Sequence, residues 1–367
     1  MHKAILFCIA IIVSVLAFQG AGAEGQVLRY SDIRADEQLV FFRTSAWLDE
    51  ERQEWHLPIH GWIYEPESSL LRKSLFKTVL EEEYDLEIDA DAEANFSRRL
   101  ELMIADSERA KSIVVSLAGR DFTLPPSTAN GQIITTLVMP IAELEAHIEN
   151  GRVGFSAATR ATDSREFFGE VLLVDPVGFG IISDIDDTVK ISEVVDRTKL
   201  LEHSFLLDFA AVPGMADVYN KWSNADTSLH FVSSSPWQFY SPLSEFLERA
   251  GFSNFVFRLK PVRFRDQTLF DLFKKGTETK PKVIEKILET YPQRQFVLVG
   301  DSGEHDPEVY ALIARKYPSQ VLRIFIRNVT GETPVNARFR QVFEGLDDDL
   351  WRLFDDPATM MLPGSAE

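Results

Sequence analysis

The order of apolar and polar residues divides the chain into two parts with different periods. From about residue 27 to residue 174, short apolar runs are separated by polar turns, and many of them alternate with a period of two. The runs are QLVFFRTSAWL, WHLPIHGWIY, RRLELMIA, SIVVSLAG, QIITTLVMP, RVGFSAAT and EFFGEVLLV. This pattern predicts antiparallel strands packed as a β-sandwich. One helix is predicted within it, over residues 69–84, where apolar residues recur at helical spacing.

From residue 176 onward, apolar strands alternate with amphipathic helices. The predicted strands are FGIISDI, SLHFVSS, NFVFRL, QFVLVG and QVLRIFI. The predicted helices include GMADVYNKWSNA, SPLSEFLERAG, KVIEKILETY and PEVYALIARKY. This alternation predicts right-handed β-α-β crossovers and a parallel sheet covered on both faces. Ligands of such sheets bind beyond the carboxyl ends of the strands.

The last part of the chain contains two amphipathic segments, ARFRQVFEGL and DDLWRLFDD. Both are predicted to be helices that pack on the preceding α/β part, although a role at a membrane surface is an alternative. The predicted organisation is therefore a sandwich-like domain over residues 24–175, an α/β domain over residues 176–330 and a helical tail over residues 331–367.

The first 23 residues have the layout of a cleavable secretory signal. Lys3 is followed by an apolar run over residues 4–18, and the small residues Ala21-Gly22-Ala23 precede Glu24. An uncleaved anchor is the alternative, but the run is shorter than the roughly 18 to 20 residues that span a bilayer. We therefore expect export to a periplasm or to the outside of the cell.

Composition narrows the classes of function. The 367 residues are 45% hydrophobic and 26% charged, as in globular proteins. The one cysteine, Cys8, lies within the predicted signal, which excludes disulfides and cysteine-bound zinc from the exported protein. A formal net charge of −19 argues against nucleic acid as a partner.

Residues 258–282 depart from this acidic balance. Their bases are Arg258, Lys260, Arg263, Arg265, Lys274, Lys275, Lys280 and Lys282. The stretch is either a solvated face or a surface for anionic lipid headgroups, and its closeness to Lys280 favours the second interpretation.

Polar clusters follow three of the predicted strands. Residues 184–188 (DIDDT) follow the first, residues 233–237 (SSSPW) the second, and residues 300–306 (GDSGEHD) follow QFVLVG. Lys280 precedes the helix that leads into QFVLVG, and Pro281 is well placed to start that helix. All four elements are expected to converge on one crevice.

Other interpretations of these clusters fit less well. An EF-hand loop beginning at Asp184 would need glycine and glutamate at positions that hold Val189 and Val195. A serine triad built on Ser233–Ser235 and His305 lacks the G-x-S-x-G elbow. An acidic turn without function does not explain why the other three motifs are present.

The residue types suit phosphoryl transfer through an aspartyl phosphate. A strand-end carboxylate can attack phosphorus, and a hard Mg²⁺ ion held by oxygen ligands cancels the repulsion between carboxylate and phosphate. A second acid two residues later can exchange protons with the leaving oxygen and with water. The hydroxyl groups of Thr188 and Ser233 and the ammonium group of Lys280 can bind phosphoryl oxygens.

These motifs resemble known phosphatases. DIDDT, a strand ending in serine, a lysine before a helix and GDSGEHD resemble the four motifs of the haloacid-dehalogenase superfamily of Mg²⁺-dependent phosphatases. SDIDDTVK, PGMADVY, VSSSPWQFY and FVLVGDSGEHDPEVY resemble the phosphatidate phosphatase catalytic domain of the actin-patch-protein family and its bacterial relatives, over about residues 178–330. The resemblance implies a Rossmann-like, haloacid-dehalogenase-like parallel sheet.

The resemblance also implies roles for individual residues. Asp184 would be the nucleophile and a metal ligand, Asp186 the acid/base and a second ligand through its carbonyl, and Asp301 the third ligand. Ser233 and Lys280 would bind phosphate, with Ser234 or Ser235 and Lys282 as alternatives. Asp306 would support the metal site or Lys280, and Asp187 and His305 would contact substrate or support the site.

The function implied by the resemblance is Mg²⁺-dependent hydrolysis of phosphatidate to diacylglycerol by a peripheral enzyme at a membrane surface, with no obligate protein partner evident. Residues 189–228 and 238–279, between the motifs, are too short for a large lid, so we expect an open crevice suited to a membrane-bound phosphate ester. The alternatives are a phosphatase of another phospholipid or of a phosphoprotein, and a vestigial phosphatase that binds lipids or surfaces.

Overall fold

The computed structural model describes residues 29–67, 69–223, 227–261 and 279–363. The predicted signal lies outside these ranges, as do Arg263, Arg265, Lys274 and Lys275 of the basic stretch. Within the described ranges, no helix is both long enough and apolar enough to cross a membrane.

Ten strands of the first part form a hydrogen-bonded sheet. They are β1 (Gln38–Phe42), β2 (Thr44–Asp49), β3 (Glu54–Glu65), β4 (Asp106–Ser107), β5 (Val114–Leu117), β6 (Arg120–Thr123), β7 (Gln132–Pro140), β8 (Ile148–Glu149), β9 (Arg152–Ala157) and β10 (Phe168–Val174). The order is β1-β3-β2-β10-β9-β5-β6, with β4 and β7 on β3 and β8 on β9. All pairs are antiparallel except β2 with β10. The ladders connect all ten strands, so the two layers of a sandwich stay a prediction.

The helices of this part are α1 (Leu70–Tyr84), α2 (Ala90–Ile104) and the short α3 (Ile141–Leu144). Helix α1 confirms the helix predicted over residues 69–84. The prediction of a strand for RRLELMIA is wrong, because these residues belong to α2. Asp89 caps α2 by accepting hydrogen bonds from two backbone N–H groups, and the buried residues Phe96, Leu100 and Met103 recur at helical spacing. A window of eight residues was too short to reveal this period.

Six parallel strands form the second sheet. They are β11 (Val177–Ser183), β12 (Ser228–Pro236), β13 (Phe255–Lys260), β14 (Gln293–Asp301), β15 (Val321–Arg327) and β16 (Trp351–Phe354), in the order β13-β12-β11-β14-β15-β16. The helices are α4 (Arg197–Phe205), α5 (Met215–Trp222), α6 (Tyr240–Arg249), α7 (Lys280–Thr290), α8 (Asp306–Lys316) and α9 (Ala337–Val342). The predicted α/β fold with a parallel sheet is confirmed.

Both faces of the second sheet are buried. Val297 and Val299 of β14 belong to one apolar cluster, whereas Phe296 and Leu298 belong to another. Because successive side chains of a strand point to opposite faces, these clusters cover the two sides of the sheet. The cover on both faces is therefore as the alternation of strands and helices predicted.

The end of the chain is helical only in part. Helix α9 confirms the first amphipathic segment, but the prediction of a helix for DDLWRLFDD is wrong, because it contains strand β16. Strand β16 pairs in parallel with β15, whose edge supplies backbone hydrogen-bond partners that the sequence does not display. Trp351 also stacks on Phe343 at a centroid distance of 4.2 Å, which joins β16 to the segment after α9.

The two sheets share an apolar core. The chain passes from β10 to β11 between Val174 and Val177. One buried cluster contains Phe42 of β1 and Phe76 of α1 together with Phe205 of α4. The first part therefore packs directly against the parallel sheet.

Candidate functional site

The carboxyl ends of β11 and β14 bring two aspartates to the same edge of the second sheet. Asp184 directly follows β11, and Asp301 is the last residue of β14. The two strands are neighbours, and the Asp184 N–H donates to the Val299 carbonyl at 2.9 Å. Both aspartates are almost completely buried. The predicted convergence of these motifs is thus present in the fold.

Lys280 joins this edge from the first residue of α7. Its Nζ atom lies 2.8 Å from Asp184 Oδ1 and 3.7 Å from Glu304 Oε2, and it also forms an ion pair with Asp306. Lys280 is buried, whereas Lys282 is exposed. The structure therefore brings Lys280, and not Lys282, to the carboxylates.

Asp306 supports both Lys280 and the end of β14. It is fully buried, accepts a hydrogen bond from Lys280 Nζ, and accepts another from the Asp301 N–H at 3.3 Å. A Cβ atom at residue 300 would lie 2.6 Å from the Asp306 Cβ, so this close approach requires Gly300. The supporting position predicted for Asp306 agrees with these contacts.

Three carboxylates form a cluster that fits a divalent cation. One oxygen from each of Asp184, Asp301 and Glu304 lies within 4.8 Å of the others. The Oδ2 atoms of Asp184 and Asp301 are buried and have no hydrogen-bond partner within the described residues. Buried carboxylate oxygens without partners are costly, and oxygens are the ligands that Mg²⁺ prefers. The side chains present therefore suit Mg²⁺.

Glu304 was not among the predicted site residues. It lies inside the quoted GDSGEHD motif, three residues after Asp301. The Asp301 Oδ1 atom accepts hydrogen bonds from the Gly303 N–H at 2.6 Å and the Glu304 N–H at 3.0 Å. This turn brings the Glu304 side chain back to the end of β14. In the sequence, the only signal for Glu304 was its place in the GDSGEHD motif.

The electrostatics of the cluster favour a bound cation. Burial, which Lys280 offsets only in part, raises the pKa of Asp184 well above its ordinary value, and Asp306 and Glu304 raise it further. Burial, Asp306 and Glu304 likewise raise the pKa of Asp301. Burial opposes the charge of Lys280, but Asp184 and Asp306 raise its pKa well above the ordinary value. A further positive charge would therefore favour the ionised form of both aspartates.

Asp186 lies in a different environment from Asp184. Its Oδ1 atom is 2.8 Å from Lys190 Nζ and accepts a hydrogen bond from Ser192 Oγ at 2.7 Å. Burial opposes ionisation, but Lys190 and Ser192 hold the pKa of Asp186 below its ordinary value. Lys190 and Ser192 were not predicted to contact Asp186. They reach it because the chain turns back on itself, with the Asp187 N–H donating to the Lys190 carbonyl.

Two of the three candidate serines contact Asp186. Ser233 Oγ donates to Asp186 Oδ2 at 3.4 Å and Ser235 Oγ donates to the same atom at 3.3 Å. Ser234 is half-buried and makes no side-chain hydrogen bond to these groups in the described part of the chain. Thr188 is fully buried, and its hydroxyl has no hydrogen-bond partner among the described residues. The choice between Ser233 and Ser235 stays open.

Asp187 holds the loop after β11. Its carboxylate accepts hydrogen bonds from the N–H groups of Ser192 at 2.8 Å, Glu193 at 2.9 Å and Val194 at 2.6 Å. Its backbone is left-handed, with φ of 53°, a conformation that aspartate tolerates better than most residues. Arg327 at the end of β15 donates to the Asp187 carbonyl at 2.7 Å. Of its two predicted roles, the contacts favour support.

His305 lies at the rim of the site. It is exposed, precedes α8, and does not cap that helix with its side chain. It makes no described hydrogen bond to the carboxylate cluster. A contact between His305 and substrate stays a prediction.

Comparison with known proteins supports the relationship that the motifs suggested. Residues 179–328 match the family model described as the catalytic domain of phosphatidate phosphatase APP1. An uncharacterized protein of Schizosaccharomyces pombe is 30% identical over 173 residues, which are 46% of this chain and 28% of that protein. Phosphatidate phosphatase APP1 of Saccharomyces cerevisiae is 35% identical over 158 residues, which are 42% of this chain and 26% of that protein.

The matched region contains all of the clustered carboxylates and Lys280. The chain spans less than a third of the length of these two relatives, so their resemblance concerns one region and not the whole proteins. That region begins in β11 and ends just after β15. Residues 179–328 of this chain are thus similar to the phosphatidate phosphatase APP1 catalytic domain, both by the family model and by identity to the Saccharomyces cerevisiae protein.

Proposed function

We propose that this protein is an exported, Mg²⁺-dependent phosphatidate phosphatase with a haloacid-dehalogenase-like catalytic fold. The observation that carries the proposal is the placement of Lys280 against the cluster of Asp184, Asp301 and Glu304. Two buried carboxylate oxygens of this cluster have no hydrogen-bond partner in the described ranges of the chain. The match of residues 179–328 to the phosphatidate phosphatase APP1 catalytic domain supports the substrate class.

Asp184 is the proposed nucleophile. One of its carboxylate oxygens attacks phosphorus, the bond from phosphorus to the leaving oxygen breaks, and the leaving oxygen takes a proton as diacylglycerol departs. Water then attacks the phosphorus of the aspartyl phosphate, which releases inorganic phosphate and restores the Asp184 carboxylate. Each half of the cycle thus breaks one phosphorus–oxygen bond and forms another.

Asp186 is the proposed proton carrier. It donates a proton to the leaving oxygen in the first half and accepts one from the attacking water in the second. The Lys190 ion pair lowers its pKa, so Asp186 is ionised at neutral pH and its carboxylate can accept a proton. Donation requires that Asp186 first be protonated, and the negative phosphoryl group beside it favours that state.

The remaining side chains hold charge in place. Ser233, Thr188 and Lys280 are the proposed ligands of the phosphoryl oxygens, and donors fixed in a buried site stabilise developing charge without reorganisation. Asp184, Asp301 and the Asp186 carbonyl, with Glu304 close by, would hold Mg²⁺. When bound, Mg²⁺ neutralises charge on the carboxylates and the phosphoryl group.

Phosphate release by the purified protein tests this proposal. Substrates are phosphatidate in mixed micelles and a panel of soluble phosphate monoesters, each with Mg²⁺ and with chelator. We expect Mg²⁺-dependent release that favours phosphatidate. Release from soluble esters or phosphopeptides alone would keep the mechanism and reject the lipid substrate, and no release from any ester would favour a vestigial, lipid-binding protein.

Asp184→Asn is expected to lower phosphate release by at least about 10³-fold, because an amide cannot form the acyl phosphate. The matched control is Asp217→Asn, which removes one carboxylate from the exposed face of α5. Circular dichroism should show both variants folded. Full activity of folded Asp184→Asn would exclude the covalent mechanism.

A further inference from the structure

Aromatic side chains of the first part pack against Trp237, in the segment that follows the candidate phosphate-binding serines. Trp237 comes two residues after Ser235. Phe42 of β1 stacks on the Trp237 ring at a centroid distance of 4.5 Å and an angle of 20°. His60 of β3 meets the same ring edge-on at 4.5 Å and 74°. Trp237, which directly follows β12 of the second sheet, therefore packs against β1 and β3 of the first sheet.

The serines themselves receive little support from their own sheet. Strand β12 pairs with β13 up to Val232 and resumes only at Pro236, with a shift of register between them. Its pairing with β11 ends at Phe231. Ser233, Ser234 and Ser235 thus have no partner in the ladders with β11 and β13, although the Ser235 N–H donates to Ser233 Oγ at 3.0 Å. The ends of the segment therefore help to determine where the hydroxyl groups lie.

The first part also contacts helix α6, which follows Trp237. The Arg43 N–H donates to the Tyr240 hydroxyl oxygen at 2.9 Å, and Tyr240 packs on Phe42 with a centroid distance of 4.7 Å. The Arg43 guanidinium pairs with Glu170 of β10 and, at 3.0 Å, with Glu248 of α6. Ring contacts and a backbone hydrogen bond together fix the direction in which the chain leaves the serines.

We infer that Phe42, His60 and Trp237 are positioning residues, through which the first sheet sets the place of the Ser233 and Ser235 hydroxyl groups over Asp186. This inference rests on the proposed phosphatase function. It extends the machinery beyond residues 179–328, because Phe42 and His60 lie outside the region that matches the family model.

Adjacent residues of β1 provide a matched pair of variants. Phe42 belongs to the core shared with the second sheet, whereas Phe41 belongs to the separate core of the first part and packs on Phe155. Both are buried, so Phe42→Leu and Phe41→Leu remove rings of equal size from well-packed places. We expect Phe42→Leu to lower kcat/KM by about 10- to 100-fold and to weaken inhibition by inorganic phosphate, because small misplacements of binding groups are costly.

The control should separate position from stability. Phe41→Leu is expected to lower the unfolding temperature similarly while it leaves kcat/KM and phosphate inhibition near those of wild type. Trp237→Phe keeps a ring in the stack and should restore most of the activity that Trp237→Leu loses. Equal kinetics for Phe42→Leu and Phe41→Leu would overturn the inference.

Hydrogen–deuterium exchange provides a readout that needs no substrate. Phe42→Leu should speed exchange in peptides that contain Ser233–Ser235, and Phe41→Leu should not. If wild type hydrolyses no phosphate ester, the proposed function fails, and the exchange of these peptides still decides whether Phe42 positions the serines. Unchanged exchange in Phe42→Leu would overturn the positioning role whatever the substrate.

Discussion

The cost of burying charge explains the contacts of individual residues in the carboxylate cluster. Lys280 is 7% exposed and contacts three carboxylates, whereas Lys282, two residues later, lies at the surface. A buried ammonium group persists only where carboxylates surround it, and the same carboxylates need its charge. Lys280 and the carboxylates stabilise each other's charge, so removing either is expected to destabilise the charged form of the other.

Lys280→Met should lower kcat/KM by about 10²- to 10³-fold, the usual effect of removing one donor from a preorganised oxyanion site. Lys282→Met removes the same charge from the exposed side of α7 and serves as its control. Steady-state kinetics on phosphatidate compare the two variants. Equal losses in both would mean that general surface charge, and not contact with phosphate, is what matters.

The lowered pKa of His60 is expected to make the free energy of unfolding depend on pH. Burial lowers the pKa of His60 to about 4. Since an unfolded histidine has a pKa near 6.5, the unfolded chain takes up a proton between about pH 6.5 and 4 that folded His60 excludes, so stability is lost as pH falls through this window. The loss is at most about 3 kcal/mol, because His60 is only half-buried and water reduces the shift.

Urea unfolding of wild type and His60→Gln at pH 7 and pH 4.5 measures this effect. The free energy of unfolding of wild type should fall more steeply toward acid than that of His60→Gln, which has no titrating ring. Parallel pH curves for the two proteins would show that His60 does not titrate in this window.

At the scale of elements, α9 secures the turn that carries Glu304. Arg338 of α9 donates to the Ser302 carbonyl at 2.5 Å and to the Glu304 carbonyl at 2.7 Å, and it pairs with Glu308 at 2.8 Å. Helix α9 lies beyond residue 328, where the family match ends. The end of this chain thus holds a loop that the matched region contains.

Arg338→Gln is expected to weaken Mg²⁺ binding by about 10- to 100-fold, as is usual when a group that orients metal ligands is lost. Isothermal titration with Mg²⁺ measures the affinity directly, without substrate. Arg340→Gln, two residues along the same helix, removes an exposed guanidinium that donates to the Val335 carbonyl and is the control. The same Mg²⁺ affinity in both variants would contradict the role given to Arg338.

At the scale of the whole molecule, the two parts share one of their apolar cores. The cluster that contains Phe231 and Val299 of the second sheet also contains Phe42, Phe76 and Phe96 of the first part. Tyr291, which follows α7 of the second part, donates to the Ala46 carbonyl at 3.1 Å. Removing the first part would expose a large area of apolar surface to water.

A fragment of residues 176–367 is therefore expected to unfold at a lower temperature than the full chain and to aggregate. Differential scanning fluorimetry and size-exclusion chromatography compare the two proteins. A monomeric fragment that matches the full chain in unfolding temperature and phosphate release would mean that the second part folds independently of the first. The predicted boundary near residue 175 would then mark a true folding unit.

Much of the parallel sheet could be predicted because its signals are local. The runs in β11, β12, β14 and β15 are long and apolar, and the carboxyl ends of parallel strands meet at one edge whatever the rest of the chain does. Asp184, Asp301 and Lys280 could be named from their motifs for the same reason. They are far apart in the sequence, but β11 and β14 are neighbouring parallel strands, and α7 leads directly into β14.

Where sequence alone failed, a distant partner decided the outcome. Strand β16 forms because β15 has an edge to extend, and α2 forms because its apolar stripe meets the core shared by the two parts. Lys190 and Glu304 approach the aspartates only through turns that side-chain and backbone hydrogen bonds close.

The sequence by itself therefore determined the parallel sheet, the edge where chemistry is proposed to occur and the acids that lie there, since apolar period and strand-end position are local properties. The tertiary structure alone decided which lysine and which serines reach those acids, and that Phe42 and His60 pack on Trp237. These contacts join residues of separate elements, and burial against a particular neighbour is a property of the folded chain that no single stretch contains.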